Sequence, residues 1–207
     1  AGYAGNLDMS TVRLSMDFEI FYSPFHFLRN QNQTDYDHLT PFAKVQYIYG
    51  KTSWAFLFRM PLDFSFSLIA RGQYSSSNLL PTEQFGIGGY STVRGYEERQ
   101  LNFEQAALVS GELRSPAIAI IKRYVPKVTD ALQFLAFLDW GWGAHHTYIP
   151  NAAQGTNVNY LLGTGVGVRY AIDQYLSSRL DWGYQIHQES AFGGGTNLLH
   201  FAVIGSY

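Results

Sequence analysis

Apolar and polar residues alternate with a period of two in several segments of the chain. From 12 to 20 every even position is apolar and every odd position is polar, and a similar alternation recurs from 176 to 186. Because successive side chains of a β-strand point to opposite faces, this period predicts strands with one apolar and one charged face. We predict eight strands, near residues 10–22, 42–58, 63–76, 105–116, 131–145, 158–171, 175–188 and 197–207.

The second predicted strand does not keep one phase along its length. Its apolar residues stand at odd positions from 43 to 49 and at even positions from 54 to 58. A β-bulge near Gly50 would shift the phase, and an extra hairpin at 50–53 is the alternative interpretation.

The predicted connections alternate between short and long. The short turns lie at 60–62, which contains Pro61, and at 173–174. The long polar connections lie at 23–40, 75–104, 147–157 and 189–196. Short periplasmic turns and long extracellular loops are typical of up-and-down outer-membrane barrels.

Aromatic residues and glycines favour a membrane barrel over a soluble sandwich. Aromatic residues make up 16% of the chain and cluster near predicted strand ends, as in the aromatic girdles of membrane barrels. One face of the strand near 160–170 carries Gly163, Gly165 and Gly167. A hydrophobic core would contain a void there, whereas a lumen that admits a plug or a passenger would not. We therefore predict an all-β fold, a transmembrane antiparallel up-and-down β-barrel, with a soluble all-β domain as the alternative.

Composition excludes several classes of function. The 207 residues include no cysteine, which removes disulfide frameworks and thiol catalysis. The net charge is −2 and the 14 Lys and Arg are scattered, so no nucleic-acid partner is expected. His145 and His146 are adjacent and would point to opposite faces of a strand, and we predict no metal site and no cofactor. No signal peptide is visible, so we expect a mature form or an excised piece.

Four motifs resemble those of a known family in sequence and in order. The run Glu83-Gln84-Phe85-Gly86-Ile87-Gly88-Gly89 with Val93-Arg94-Gly95-Tyr96 looks like a lumen-loop signature. The others are Ala70-Arg71-Gly72-Gln73-Tyr74, Gly111-Glu112-Leu113-Arg114-Ser115-Pro116 and Phe137-Leu138-Asp139-Trp140-Gly141. They resemble the BamA/FhaC superfamily of polypeptide-transporting outer-membrane barrels, in its two-partner-secretion (TpsB, FhaC/ShlB-like) branch. The resemblance maps the chain onto the C-terminal half of a barrel of about sixteen strands.

The resemblance implies roles for particular residues. Residues 77–104 would form a long loop that folds back into the lumen, with the motif residues Gly88, Gly89, Val93, Arg94, Gly95 and Tyr96. Arg94 is expected to pair with Asp139, which shares the inward parity of Gly141, and Glu112 is a second candidate partner. Separate solvated charges are the alternative. The terminal strand, with Phe201, Gly205 and Tyr207, resembles the assembly signal of outer-membrane proteins.

The expected function is transport of unfolded polypeptide across, or insertion into, the bacterial outer membrane. Residues 1–207 would form a single transmembrane barrel segment. The expected partners are the lipid bilayer, the passenger, the barrel-assembly machinery, and either a missing N-terminal half-barrel or a second copy of the chain. A closed eight-strand barrel is also considered, although side chains would fill its interior.

Two other functions are weighed against transport. The first is a passive pore or structural barrel in which the loop is only a plug. The second is an outer-membrane hydrolase. Since no catalytic Ser/His/Asp set can be placed from the sequence, we expect no enzymatic activity.

Overall fold

Strands dominate the computed structural model of the chain, which describes residues 1–24, 32–125, 127–152, 155–187 and 196–206. The strands are β1 (Gly2–Asp8), β2 (Val12–Ser23), β3 (Tyr47–Arg59), β4 (Ser65–Ser75), β5 (Phe85–Ile87), β6 (Leu101–Phe103), β7 (Gln105–Arg114), β8 (Asp130–Ala144), β9 (Val158–Ile172), β10 (Leu176–Gln185) and β11 (Asn197–Gly205). One helix, α1 (Gln33–Leu39), and short 3-10 turns at Pro61–Asp63 and Ile121–Arg123 accompany them. None of the described helices has the length and apolar character needed to cross a membrane.

Nine strands form one sheet in the order β1-β2-β3-β4-β7-β8-β9-β10-β11, while β5 and β6 pair separately as a hairpin. Every neighbouring pair is antiparallel. The predicted all-β antiparallel fold is confirmed, and all eight predicted strands are present. β1 is an additional strand. Its sequence contains two glycines, an asparagine and an aspartate, which are depleted in strands, so pairing with β2 rather than local preference gives it its extended form.

The switch of apolar residues from odd to even positions near Gly50 is caused neither by the predicted β-bulge nor by the alternative hairpin. β2 and β3 pair residue for residue from Val12↔Phe58 to Ser23↔Tyr47, and β3 runs through Gly50 without a break. The bulge and the hairpin are therefore both wrong. Tyr49 points to the inner face, where it is buried and its hydroxyl donates to Glu83 of the long loop. The apolar positions switch because the inner face itself becomes apolar where the loop covers it.

The sheet has an exposed apolar face and an inner face covered by the loop. On β8, Leu138 and Trp140 are exposed, whereas Phe137 and Asp139, which alternate with them, are buried. The buried hydrophobic cluster comprises Ile87, Val93, Tyr96, Leu101, Phe103, Ala106, Leu108 and Leu161. Most of these residues belong to the loop or its hairpin. The core therefore lies between the loop and the sheet, not between two sheets.

Both edges of the nine-stranded sheet are open within the described part of the chain. β1 pairs only with β2, and β11 pairs only with β10. Because nine is odd and all neighbours are antiparallel, β1 and β11 run in the same direction and cannot form an antiparallel pair with each other. The closed eight-strand barrel is therefore wrong: the extra strand β1 removes the antiparallel closure.

We expect Leu138→Arg to lower the free energy of unfolding of the membrane-inserted, assembled barrel by about 2–4 kcal/mol, because it places a charge in lipid near the bilayer midplane. Leu138 lies near the middle of β8 on the apolar face and is 54% exposed. Chemical unfolding in lipid vesicles, followed by tryptophan fluorescence, would measure the change.

The control for this substitution is Tyr148→Arg. Tyr148 is exposed in the connection between β8 and β9, where an added charge should change the free energy of unfolding by only about 0–1 kcal/mol. Equal losses in the two variants would show that the apolar face does not contact lipid.

Candidate functional site

The long loop, residues 76–104, leaves β4, covers the inner face of the sheet and returns to β7. Within it, β5 and β6 pair from Phe85↔Phe103 to Ile87↔Leu101. Beyond this hairpin the chain turns at Gly88, Gly89 and Gly95, whose φ angles of 106°, 107° and 96° lie in the left-handed region. Glycine adopts this region without the steric cost that a side chain brings. These turns direct the segment containing Arg94 towards the strands.

Arg94 is buried against two strand carboxylates. Its Nε and Nη2 donate to Oδ2 and Oδ1 of Asp139 at 2.7 and 2.9 Å, and its backbone N–H donates to the same Oδ2 at 3.1 Å. Nη1 donates to Oε2 of Glu112 at 2.8 Å. The Arg94 side chain is 4% exposed and that of Asp139 is fully buried. A bidentate contact of this kind fixes the orientation of the guanidinium as well as neutralising its charge.

The register of β7 and β8 assembles the partners of Arg94. Ser110 pairs directly with Asp139, and its hydroxyl donates to Oδ1 of that carboxylate at 2.6 Å. Phe137 lies two residues before Asp139 on the same face, and Cζ of Arg94 stands 3.5 Å from its ring centre, a cation–π contact. Burial alone would lower the pKa of Arg94, but the hydrogen bonds and charges of Asp139 and Glu112 raise it above its ordinary value, so the guanidinium stays charged.

Two further arginines surround a third buried carboxylate, Asp181 on β10. Arg169 donates to its Oδ1 and Oδ2 at 2.8 and 3.1 Å, and Arg179 donates to Oδ2 at 2.7 Å. Nη1 of Arg94 lies 3.8 Å from Oδ1 of Asp181, which links the two sites. The linked groups are Arg94, Arg114, Arg169, Arg179, Glu112, Asp139 and Asp181. Four guanidinium groups thus face three carboxylates.

No role was predicted for Arg169, Arg179 or Asp181 from the sequence. Alternation placed all three on the charged face of their strands, and this common parity was the signal that could have found them. Their proximity to the loop depends on the side-by-side placement of β8, β9 and β10. Gly167, which pairs with Asp181 across the ladder, leaves the space that the carboxylate occupies.

After Arg94 the loop continues across the inner face to the last strand. The backbone N–H of Gly95 donates to Nε2 of His200 at 3.2 Å, and Nε2 of Gln185 donates to the carbonyl of Gly95 at 2.7 Å. The hydroxyl of Tyr96 lies 2.9 Å from the carbonyl oxygen of Leu162. The motif therefore contacts strands from β7 to β11. The contact with His200 was not foreseen, because an isolated histidine gives no signal in the sequence.

Strand glycines provide the space in which the loop lies. A Cβ atom at Gly141 would stand 2.5 Å from Cγ2 of Ile87, and one at Gly183 would stand 2.4 Å from the backbone nitrogen of Gly95. The same holds at Gly143 and Gly163. Packed atoms do not approach so closely. A side chain at these positions is therefore incompatible with the docked loop.

The other predicted site residues lie apart from the loop. Phe201 points outward from β11 and is 74% exposed, and Gly205 ends that strand. Tyr207 lies outside the described residues. Across the described ranges, no three or more His, Asp or Glu side chains are grouped so that they could hold a metal ion.

Comparisons with known proteins identify the family. A family model described as haemolysin secretion/activation protein ShlB/FhaC/HecB matches residues 15–170, about three quarters of the 207 residues. The chain belongs to the ShlB/FhaC/HecB family. Among solved structures, CdiB from Escherichia coli is similar with a TM-score of 0.78 and 16% identity, over 98% of this chain and 35% of the CdiB chain. This likeness shows the fold, and the chain spans about a third of that relative's length. No curated protein sequence matches the chain.

Membership of the ShlB/FhaC/HecB family confirms the resemblance to the two-partner-secretion branch and the outer-membrane location. The family consists of secretion proteins and is not an enzyme class. The matched region contains Arg94, Glu112 and Asp139, whereas Asp181 and His200 lie beyond it. The exposed apolar face of the sheet is accordingly its lipid-facing side.

We expect Gly183→Ala to displace the loop from the inner face. The new methyl group would lie 2.4 Å from the backbone nitrogen of Gly95, and rotation of a side chain cannot relieve a contact with backbone. Trypsin should then cleave after Arg94 at least about tenfold faster in the folded barrel, because local opening makes the site accessible.

Gly111→Ala is the matched control for this substitution. The nearest atom to a Cβ there, Cζ of Phe66, is 3.5 Å away, which is an ordinary contact. Equal cleavage rates in the two variants would argue against the tight docking of the loop.

Proposed function

We propose that the chain forms the C-terminal part of an outer-membrane barrel that moves unfolded polypeptide across, or into, the bacterial outer membrane, with the 76–104 loop held in the lumen by Arg94. The observation that carries the proposal is the buried bidentate contact of Arg94 with Asp139, reinforced by Glu112. Membership of a secretion family supports the transport function. The likeness to CdiB supports a barrel completed by further strands.

Transport of an unfolded chain needs no covalent chemistry, but it needs a wide and polar lumen. With the loop docked, its backbone lies against strand glycines, including Gly163 and Gly183, so the passenger can pass only when part of the loop moves. Release of Arg94 opens this side-chain-poor strip and exposes Asp139 to water in the lumen. Water then replaces the guanidinium as the partner of the carboxylate, which keeps the cost of release moderate.

A passive pore with a fixed plug is the second candidate function. The extent of the docking favours it, because the contacts continue from Arg94 through Gly95 to Tyr96. A fixed plug would give solute leakage that does not depend on a passenger. A transporter would open only with its passenger, so single-channel recordings with and without passenger distinguish the two.

We expect Arg94→Ala to reduce passenger export by at least tenfold while the barrel remains folded. Removing one partner of a buried ion pair leaves the other uncompensated, at a cost of about 3–5 kcal/mol. That cost falls on the docked loop and not on the strand ladders, so the variant loses the docked, transport-competent state from which the passenger opens the pore. Export is measured as secreted passenger, and barrel folding as the mobility difference between heated and unheated samples on a gel.

Arg94→Lys and Arg59→Ala complete the experiment. Lysine keeps the charge but cannot form the bidentate contact, so export should be only partly restored. Arg59 is exposed at the C-terminal end of β3, opposite the end that contacts the loop. Its replacement should leave export unchanged. Normal export by the Arg94→Ala variant would contradict the proposal.

The open edges restrict what can complete the barrel. β1 and β11 run in the same direction, so a complement that pairs antiparallel with both must itself contain an odd number of strands. A second copy, related by a two-fold axis along the pore, would bring β1 beside β11 of its partner in parallel orientation. We propose that the complement is a segment with an odd number of strands, such as a preceding half-barrel, and not a second copy.

We expect native mass spectrometry of the folded chain, after removal of detergent, to show no discrete species of twice the chain mass. Deleting residues 1–9 removes β1 and leaves eight strands, whose edges β2 and β11 run in opposite directions. This shortened chain can close antiparallel seams with a second copy, so it should dimerise more readily than the full chain. If the full chain formed a dimer and the shortened chain did not, the argument from strand direction would be contradicted.

A further inference from the structure

One connection on the periplasmic side differs from the others in length and position. The turns at 9–11, 60–64 and 173–175 are short, whereas β7 and β8 are joined by residues 115–129. Short periplasmic turns are the rule in outer-membrane barrels. We call residues 115–125 and 127–129 the outward connection, because they fold onto the lipid-facing side of the sheet.

Backbone pairing places the outward connection on this side. Ile118 and Leu132 exchange two hydrogen bonds of 2.8 Å and form an antiparallel bridge. Side chains of directly paired residues lie on the same face. Leu132 has the parity of Phe134 and Leu138, which are exposed on the apolar face. Ile118 therefore points towards lipid and is 50% exposed.

A buried carboxylate fixes the outward connection in place. Asp130 accepts hydrogen bonds from three successive backbone N–H groups, those of Ile120, Ile121 and Lys122, at 2.7, 2.9 and 2.8 Å. The hydroxyl of Tyr170 on β9 lies 3.2 Å from the same carboxylate. The connection is thus a built element with a defined orientation.

The surface of the outward connection combines apolar and basic side chains. Ile120, Tyr124 and Val125 are exposed, Tyr124 at 78%. The basic residues Lys122, Arg123 and Lys127 are exposed beside them, and no ion pair to another described residue involves them. Residues 115–129 contain these three basic residues and no acidic one. The nearby carboxylates Asp130 and Asp173 accept hydrogen bonds from backbone N–H groups and form no ion pair with the three basic side chains. The outward connection therefore carries a net positive charge.

We propose that the outward connection is an interfacial anchor that binds anionic phospholipid headgroups of the periplasmic leaflet. Its isoleucines and Val125 enter the acyl boundary next to Phe134, Tyr124 lies at headgroup level, and the three basic side chains contact lipid phosphates. The lateral position favours lipid over a soluble domain, because the apolar side chains continue the lipid-facing band of β8. The inference rests on the outer-membrane location and not on the transport activity.

The absence of cysteine from the chain allows a direct test. Tyr124→Cys, labelled with bimane, is assembled into the complete barrel in vesicles of mixed phosphatidylcholine and phosphatidylglycerol. Doxyl-labelled phosphatidylglycerol should quench the label several-fold more strongly than doxyl-labelled phosphatidylcholine. The preference should fall with rising salt. The combined variant Lys122→Gln, Arg123→Gln and Lys127→Gln should lose it completely, because a single basic side chain near the surface accounts for a factor of roughly five.

A label at Leu62→Cys is the matched control. Leu62 is strongly exposed on a short turn at the same end of the sheet, without neighbouring lysines, so its quenching should not distinguish the two lipids. Heat-modified gel mobility checks that each variant is folded. Quenching at position 124 by aqueous iodide alone, equal quenching by both lipids, or protection from lipid and water by a protein domain would each overturn the proposal.

Discussion

The burial of one guanidinium is the constraint on which the rest of the structure depends. A charge taken out of water is tolerated only when counter-charges and hydrogen bonds surround it, and Arg94 meets this condition only if the loop reaches β7 and β8 at the register that presents Glu112 and Asp139 together. The linked arginines and carboxylates extend the same requirement to β9 and β10. The position of the long loop therefore depends on the pairing of the four strands β7, β8, β9 and β10.

The inner face of the sheet and the loop are complementary in volume as well as in charge. The strands facing the loop contain glycines where a side chain would collide with it, and the loop supplies most of the buried hydrophobic cluster, including Val93 and Tyr96. The inner face consequently has no hydrophobic core of its own. The loop both completes the packing of the inner face and obstructs the lumen. It can therefore open the lumen only by losing packing contacts. This links the stability of the inner face to the opening of the pore.

The period-two pattern predicted the fold because a sheet with lipid on one side imposes its alternation on every strand. It failed where another interaction overrode local preference: β1 is extended through its pairing with β2 despite its glycines, and β3 keeps its register through Gly50 while Tyr49 contacts the loop. In the site, the family motifs together with strand parity suggested Arg94, Glu112 and Asp139. Asp181 and Arg169 were missed because their contribution depends on which strands stand side by side, and a single sequence does not contain that register.

The two faces of β8 give this strand a double role. Asp139 is odd-numbered and points into the lumen, where it holds the loop, whereas Asp130 is even-numbered and points outward, where it holds the outward connection. Asp139 accepts the backbone N–H group of Arg94, and Asp130 accepts three backbone N–H groups of the outward connection. Because side-chain direction alternates strictly along a strand, a slip of one residue in the register of β8 would turn both carboxylates to the wrong face at once. The pairing of β8 with β7 and β9 therefore determines the docking of both segments together.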